Sequence, residues 1–413
     1  LPLRPRLFAS AASRPQRTWR SALLARPSSC DHHHPGDEMT KFPHYLACSR
    51  CDARPDPLAL VNVCPACGAP VLVQYEIEPR PDLRKTIASR HPDMWRYAEV
   101  LPVAECDDIV SLGEGATPLL PSRTHEHVYL KDESKNPTRS FKARGMAAAV
   151  SMARSLGAQA LAAPTAGNAG AALSAYGARA GLPVFVAMPR DTPASIVDEC
   201  RSYGATVELV EGVITDAARR VQQFVREHGG FDLSTLKEPY RVEGKKIMGY
   251  ELLEDLGRLP DVILYPTGGG TGLIGMWKAF EEMERLGWIR GERPRMFSVQ
   301  STGCAPIVRA FANDLETAPE WESPDTSAWG LRVPRAIGDR LMLQALRDSG
   351  GGAIAVDESK IEAAAAEIRL NEGIDAGPET GAAWLALDEL RSRGDIRRDE
   401  VVVVFNTGGN KYH

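Results

Sequence analysis

A lysine in a polar turn and a glycine-rich loop much later in the chain are the two stretches whose residue types suggest chemistry. Lys142 lies in residues 136–145 (NPTRSFKARG), and the loop occupies residues 268–272 (GGGTG). A lysine amine can form a Schiff base with an aldehyde, and glycine N–H groups at a helix start can bind a phosphate. Together these are what pyridoxal phosphate (PLP) needs from a protein, so the sequence predicts a PLP enzyme.

The simpler interpretation of Lys142 is a solvated lysine at a helix start. A positive charge in the first turn opposes the helix dipole, however, which favours a lysine that is neutralised as an imine. Ser140 is predicted to cap this helix, and the apolar Phe141 and Ala143 to bury the lysine between them. The pattern therefore favours a reactive amine.

The glycine loop lies between the apolar stretch 261–266 and a predicted helix at 273–286. Its members are Gly268, Gly269, Gly270, Thr271 and Gly272. Glycines let backbone N–H groups converge on an anion at a helix N-terminus, and Thr271 adds a hydroxyl. Dinucleotide sites look similar, but the spacing here is not Gly-x-Gly-x-x-Gly and the strand is far into the chain. Both facts disfavour a nicotinamide cofactor.

Two further loops follow apolar strands. Residues 165–170 (TAGNAG) precede a predicted helix, and Asn168 with free N–H groups suits a ring oxygen or a carboxylate. Thr407 and two glycines follow the last strand, at the carboxyl end where the sites of α/β proteins collect. Taken alone, each loop is equally compatible with an ordinary turn.

Four of the eight cysteines form a compact quartet with paired spacing. Cys48-x-x-Cys51 is followed after twelve residues by Cys64-x-x-Cys67. This is the spacing of a zinc ribbon, in which two knuckles supply four thiolates to one tetrahedral ion. A closed set of four thiolates leaves no open coordination position, so the zinc is expected to be structural. Unmetallated thiols are the alternative.

The elements that must position these residues alternate between strand and helix from about residue 116 onward. Helices are predicted at 143–156, 169–180 and 273–286, with strands at 261–265 and 401–405. Short apolar strands without polar alternation, separated by helices of this length, predict an α/β fold with mostly parallel sheets covered on both faces. Residues 39–78 are expected to be a zinc-ribbon-like module and 79–413 the catalytic region, with a smaller domain at about 140–250.

Composition narrows the class of partner. The chain has 413 residues, a net charge of -5 and no long uncharged apolar run, which disfavours nucleic-acid and membrane partners. Residues 1–38 are rich in arginine and resemble a transit peptide. Because the first methionine is Met39, we interpret them instead as an extension upstream of a start at Met39. We expect them to be disordered. Scattered single cysteines do not resemble a disulfide framework, so a reducing, cytoplasmic location is expected.

Taken together and in order, these stretches resemble the fold-type II PLP enzymes of the tryptophan synthase β-like group, and within it the threonine synthases. The residues that carry the resemblance are 113–119 (GEGATPL), 131–133 (KDE), 136–138 (NPT), 140–142 (SFK), 239–246 (PYRVEGKK), the glycine loop and 406–408 (NTG). The resemblance covers residues 44–413, including the cysteine quartet.

The resemblance implies a role for each candidate residue. Lys142 would hold PLP and later move protons at the α carbon of the substrate and the carbon next to it. Residues 268–272 would bind the cofactor phosphate, Asn168 the ring oxygen, and Thr407 would face the pyridine nitrogen. Thr165 and its loop would receive the substrate carboxylate.

The implied reaction converts O-phospho-L-homoserine and water into L-threonine and phosphate. The substrate phosphate would be bound by cations and hydroxyls, and the candidates are Lys131, Thr138, Ser140 and Arg144. Arg139 and Ala143 depart from the glycine and aspartate that are common at these positions in threonine synthases. A threonine or serine dehydratase, a β-replacement enzyme using a phosphorylated serine analogue, and a catalytically silent binding module are the alternatives. Dimers are common in this fold group, so a homodimer is one partner that the resemblance allows, although the sequence does not give the oligomeric state.

Overall fold

The computed structural model describes residues 41–103, 105–291 and 293–410. The extension predicted at residues 1–38 lies outside the described residues. Within the described ranges, no helix combines the length and the apolar character that crossing a membrane requires.

The strands in this part of the chain form three sheets. In chain order they are β1 (His44–Cys48), β2 (Val71–Tyr75), β3 (Leu119–Pro121), β4 (Val128–Asp132), β5 (Leu161–Pro164), β6 (Val184–Pro189), β7 (Thr206–Val210), β8 (Phe231–Asp232), β9 (Val262–Pro266), β10 (Arg295–Ser301), β11 (Gly352–Val356) and β12 (Val402–Asn406).

The helices agree with the predicted pattern. They are α1 (Leu83–Ala88), α2 (Lys142–Ser155), α3 (Asn168–Ala180), α4 (Ala194–Ser202), α5 (Ile214–His228), α6 (Tyr240–Leu256), α7 (Thr271–Arg285), α8 (Pro306–Ala312), α9 (Asp339–Asp348), α10 (Ile361–Glu372) and α11 (Pro378–Arg393). The helices predicted at 143–156, 169–180 and 273–286 correspond to α2, α3 and α7, with ends that differ by at most two residues.

The largest sheet has the strand order β11-β10-β9-β12-β4-β3 and is parallel except where β3 pairs with β4. Its central strand β9 is buried at every position. Val262 and Leu264 belong to one apolar cluster, whereas Ile263 and Tyr265 belong to another. Successive side chains of a strand point to opposite faces, so both faces of the sheet are covered. The predicted α/β class is confirmed.

The second sheet, β7-β6-β5-β8, is parallel throughout. Its strands lie between residues 161 and 232 of the chain, after β4 and before β9 of the largest sheet. This position falls inside the range 140–250 that was expected to form a smaller domain. The division of residues 79–413 into two domains stays a prediction.

Helix α6 packs against both α2 and α7. Where it crosses α2, a Cβ added to Gly244 would lie 1.9 Å from the carbonyl oxygen of Arg144, so only glycine permits this approach. At the other side, Lys245 of α6 donates a hydrogen bond to Thr271, the first residue of α7. The close packing thus brings the N-terminal turns of α2, α6 and α7 to one place.

The cysteine module, residues 41–78, is closed by the antiparallel pair β1 and β2. Its Asn62 Nδ2 donates to the carbonyl oxygens of Asp232 and Lys237, both at 2.8 Å. Tyr75 donates its hydroxyl to Glu243 of α6 at 2.7 Å. These contacts attach the module to the segment that leads into α6.

Glu243 is also part of a buried ionic cluster between α6 and α7. It pairs with Lys246 at 2.7 Å and with Lys278 at 3.0 Å, and Glu282 pairs with the same two lysines at 3.0 and 2.5 Å. Two carboxylates therefore face two ammonium groups. A balanced cluster of this kind is tolerated in a protein interior, whereas a single unpaired charge is not.

Candidate active site

The segment before Lys142 has an unusual backbone. Thr138 and Arg139 have φ values of 56° and 54°, in the left-handed region that favours glycine. Arg139 stands where the resembled enzymes usually have glycine, and the backbone conformation explains that preference. The segment is tied to the C-terminal strand region, because Phe141 N–H donates to Thr407 O and Gly409 N–H to Arg139 O, both at 3.0 Å.

Lys142 is the first residue of α2, and its environment lowers the pKa of its amine. Its Nζ lies 3.8 Å from the centroid of the Phe141 ring. Burial lowers the pKa of Lys142 to about 7, helped by the charge of Arg241 and opposed by that of Glu379. Because the neutral amine is the nucleophile, a lysine with this pKa is available to an aldehyde at neutral pH.

Ser140 does not cap α2, and that prediction is wrong. Phe141 is the N-cap residue and no side chain caps the helix. The Ser140 Oγ is instead buried without a hydrogen-bond partner, as are Thr138 Oγ1 and Asn168 Oδ1. A Cβ added to Gly408 would lie 3.2 Å from both Asn168 Nδ2 and Ser140 Cβ, so these groups are close together. Buried polar atoms without partners are destabilising in the free protein and fit a ligand that would bind them.

The glycine loop leaves no room for side chains. A Cβ added to Gly268 would lie 2.1 Å from the carbonyl oxygen of Gly330, and one added to Gly269 would lie 2.7 Å from Thr235 Cγ2. At Gly270 the Cβ would lie 2.0 Å from a buried methionine sulfur, and this residue has a φ of 76°. The loop therefore presents bare backbone N–H groups at the N-terminus of α7. This arrangement fits a phosphate.

Two predicted residues, Thr165 and Thr407, make hydrogen bonds that shape the loops around Lys142 and α3. Thr165 Oγ1 accepts a hydrogen bond from Gly167 N–H at 3.2 Å and so shapes the loop before α3. Thr407 is buried at the end of β12, and its carbonyl oxygen binds the residue before Lys142. The structure therefore brings Thr407 next to the lysine, and Asn168 next to Ser140.

Three residues at the start of α6 belong to the same region, although the sequence pattern gave them no role. Lys245 Nζ donates to Thr271 Oγ1 at 2.5 Å. Arg241 Nη1 donates to Leu233 O at 2.7 Å, while its buried Nε and the buried hydroxyl of Tyr240 have no partner. The available signal was the spacing, since positions 241 and 245 lie on one face of a helix.

Lys131 and Arg144, which were expected to bind a substrate phosphate, are paired with carboxylates of the protein. Lys131 Nζ lies 2.9 Å from carboxylate oxygens of both Glu251 and Asp255. Arg144 pairs with Glu133 at 2.7 Å and with Glu251 at 2.6 Å. Both cations are fully buried and their charges are neutralised by these carboxylates. They stabilise the packing of α2, β4 and α6 instead.

The four cysteines of the module come together as the spacing predicts. Their Sγ atoms all lie within 4.8 Å of one another, with 3.4 Å between Cys48 and Cys67 and 3.7 Å between Cys51 and Cys64. Four sulfurs on a tetrahedral zinc ion would be ~3.8 Å apart, given Zn–S bonds of about 2.3 Å. The arrangement fits a structural zinc ion.

Comparison with known proteins agrees with this geometry. Residues 110–408 match the family model described as pyridoxal-phosphate dependent enzyme. The threonine synthase of Methanosarcina acetivorans is 34% identical over 374 residues, which cover 88% of this chain and 91% of that protein. The threonine synthase of Methanocaldococcus jannaschii is 33% identical over 371 residues, covering 87% and 91%.

Solved structures show the same fold. Maize serine racemase superimposes with a TM-score of 0.62 at 20% identity, covering 72% of this chain and 88% of its own. A fungal L-serine ammonia-lyase from Rhizomucor miehei gives 0.61 at 21% identity, covering 72% and 95%. With a lysine of lowered pKa, a glycine loop that fits a phosphate and this similarity along most of its length, the chain belongs to the pyridoxal-phosphate-dependent enzyme family.

Proposed function

We propose that this chain is a threonine synthase, which converts O-phospho-L-homoserine and water into L-threonine and phosphate. The observation that carries the proposal is the similarity to two archaeal threonine synthases over 88% and 87% of the chain. The cysteine quartet lies in the part of the chain that precedes the match to the family model.

Bound PLP withdraws electrons from the α carbon of an amino acid, so that protons on that carbon and the next one become acidic. Residues 268–272 would hold its phosphate, and Asn168 would donate a hydrogen bond to its ring oxygen. Thr407 would meet the ring nitrogen with a neutral hydroxyl. A hydroxyl cannot supply the charge of a carboxylate, so the ring nitrogen would stay less cationic.

Lys142 would bind the cofactor through its Nζ and, after the substrate amine has displaced it, act as the base. A lysine with a pKa of about 7 can accept a proton at one carbon and return it to another at neutral pH. We propose that it removes the α proton, releases it, and then removes a β proton, so that phosphate can leave from the γ carbon. Protons then return to the γ and α carbons, and water adds its hydroxyl to the β carbon and its remaining proton to the base.

The substrate has two anionic groups, a carboxylate and a phosphate, and each needs its own binding position. The loop of residues 165–168, shaped by Thr165, precedes the N-terminus of α3 and suits the carboxylate. The buried hydroxyls of Thr138 and Ser140 have no protein partner and suit the substrate phosphate. Arg241 is the cation that we propose in place of Lys131 and Arg144, because its Nε is buried and unpartnered and its charge reaches Lys142.

The deciding assay compares two products from the purified enzyme. Phosphate released from O-phosphohomoserine, together with threonine formed in equal amount, supports the proposal. Formation of 2-oxobutanoate from threonine, without phosphate release from O-phosphohomoserine, supports a dehydratase instead. Lys142→Ala serves as the control, since it is expected to abolish both the visible absorbance of the bound cofactor and either activity.

We also propose that Cys48, Cys51, Cys64 and Cys67 hold one structural zinc ion. Free thiols held 3.4–3.7 Å apart need a reducing compartment, and on that ground we place the protein in the cytoplasm. Metal analysis of the purified chain is expected to find one zinc ion per chain, and Cys64→Ser to remove most of it. Cys304→Ser, at a buried single cysteine, is the matched control and should leave the zinc content unchanged. A wild-type chain without bound metal refutes this proposal.

A further inference from the structure

The buried cations differ in whether they have a counterion. Six basic side chains are buried in the described part of the chain: Lys131, Arg144, Arg241, Lys245, Lys246 and Lys278. Four of them pair with carboxylates at 3.0 Å or less. Across the described residues, Arg241 and Lys245 have no carboxylate within ion-pair distance. Uncompensated charges in a protein interior are strongly unfavourable, so these two positions call for an explanation.

Lys245 and its neighbour Lys246 make the contrast sharp. They are consecutive residues of α6 and equally buried. Lys246 pairs with Glu243 and Glu282, whereas Lys245 contacts a neutral hydroxyl, that of Thr271, and lies 4.8 Å from the centroid of the Phe141 ring. Burial lowers the pKa of Lys245 well below its ordinary value, and the charges of Arg241 and Lys142 lower it further.

The nearest acid cannot neutralise this lysine. Glu238 is buried, and its carboxylate accepts hydrogen bonds from the N–H groups of Tyr240 and Arg241 at 2.7 and 3.0 Å. Burial raises the pKa of Glu238 to about 7, although the charge of Arg241 opposes this. The region around Lys142, Arg241 and Lys245 therefore holds three basic side chains without an ion-paired carboxylate among the described residues, which disfavours the protonated lysines until an anion binds there.

The position of the Lys245 ammonium indicates which anion would balance it. Thr271 is the first residue of α7 and the fourth member of the glycine loop, and N–H groups at such a helix start can bind an anion. Gly145 of α2 makes room for the lysine side chain, since a Cβ there would lie 2.8 Å from Lys245 Cε. The ammonium is thus held at the edge of the phosphate-binding loop by close packing on its other side.

We propose that Lys245 is a direct cationic ligand of the cofactor phosphate, adding a full charge to a loop that otherwise supplies only backbone and hydroxyl groups. The proposal rests on the assignment of the glycine loop to the cofactor. It also gives the empty protein an electrostatic penalty that the arrival of a dianion removes. Lys245 then has two opposite effects: it strengthens cofactor binding and destabilises the cofactor-free protein.

The test compares PLP with pyridoxal, which has the same aldehyde but no phosphate. The full chain, stripped of cofactor, is titrated with each compound and binding is followed by visible absorbance. We expect Lys245→Met to raise the Kd for PLP by about 10- to 100-fold, which is the range for loss of a hydrogen bond to a charged group. The Kd for pyridoxal should not change. Lys245→Arg, which keeps the charge, should recover part of the PLP affinity.

The unfolding midpoint of the stripped chain provides the second measurement. Lys245→Met is expected to leave this midpoint unchanged or raise it, whereas the matched control Lys246→Met should lower it by breaking the ionic cluster. The proposal is overturned if Lys245→Met lowers the midpoint as Lys246→Met does, if the chain fails to fold, or if the PLP-to-pyridoxal ratio is unchanged. A higher KM for O-phosphohomoserine with unchanged PLP affinity would place Lys245 in the substrate site and also overturn it. Failure of the threonine synthase assay, in contrast, leaves the PLP-to-pyridoxal comparison intact.

Discussion

Replacing Arg144 with methionine should reduce the stability of the protein and leave substrate affinity unchanged. The guanidinium donates to Glu133 at 2.7 and 2.9 Å and to Glu251 at 2.6 and 2.7 Å. A fifth hydrogen bond goes to Thr117 Oγ1 at 3.0 Å. Methionine fills much of the same volume but carries no charge. Glu133 would then have no cation within ion-pair distance among the described residues, and Glu251 would keep only Lys131.

The size of the effect follows from that imbalance. Removing one partner of a buried ion pair costs about 3–5 kcal/mol, compared with a total stability of about 5–15 kcal/mol for a typical domain. The pH dependence gives a further check. Burial raises the pKa of Glu251, but Arg144 and Lys131 outweigh it and hold the pKa below its usual range. Without Arg144, protonation of Glu251 removes a charge that is no longer fully compensated. The difference in unfolding free energy between variant and wild type should therefore become smaller as the pH falls from about 8 to about 5.

Denaturant unfolding of the full chain with saturating cofactor measures this loss, and steady-state kinetics measures KM. Glu133→Gln added to Arg144→Met should recover part of the stability because it restores the charge balance. Arg293→Met is the control: its pair with Glu284 at 2.6 Å is partly exposed, and its loss should cost about 1 kcal/mol or less. An Arg144→Met protein with wild-type stability and a much higher KM for O-phosphohomoserine would refute the reasoning and restore the substrate role.

Four further outcomes are expected. Burial and the charge of Arg241 bring the pKa of Lys142 to about 7. The rate of PLP binding to the cofactor-free chain, measured by stopped flow, should therefore rise with pH up to about 7 and then level off. A rate that does not change with pH would contradict this. The folded pKa lies below that of the unfolded lysine, so the same group makes the stripped chain more stable as pH rises above 7. Gly268→Ala forces a Cβ to within 2.1 Å of the Gly330 carbonyl oxygen and should weaken PLP binding at least tenfold in a titration, whereas Gly373→Ala, in open space, should not. Ser140→Ala removes a buried hydroxyl without a protein partner, so it should leave the stability of the stripped chain unchanged while raising KM; a loss of stability with constant KM would show a purely structural role.

The fold was largely predictable because local patterns determine it. Apolar strands of about five residues alternate with helices, and the glycines after α3 and α5 end those helices in the left-handed conformation. The positions of Lys142 and the glycine loop follow from the same patterns, since each begins a helix after a short turn. Their meeting needs only the parallel sheet, which places the loops after its strands along one edge.

The carboxylate partners of the buried cations could not be predicted from local sequence patterns. Arg144 lies two residues after Lys142, yet its partner Glu251 comes 107 residues later, so a local motif suggests a substrate role where tertiary packing supplies an ion pair. The capping role of Ser140 failed because Phe141 occupies the N-cap position of α2 and no side chain caps the helix. Lys245 was missed for the opposite reason. Lys245 is notable because no carboxylate of the described residues lies within ion-pair distance of it. The sequence cannot show which of two adjacent lysines is paired with a carboxylate.

The attachment of the cysteine module through Tyr75 has a consequence for how the chain is made. Tyr75 precedes its partner Glu243 by 168 residues. At a synthesis rate of about 5–20 residues per second, the module leaves the ribosome roughly 10–30 s before α6 does. During that interval Tyr75 has nothing to dock on, and a knuckle closed by zinc would be ready while its docking surface is still being made. We expect ribosome-bound chains halted before residue 243 to be cleaved near residue 75 by added protease, and longer chains to be protected there.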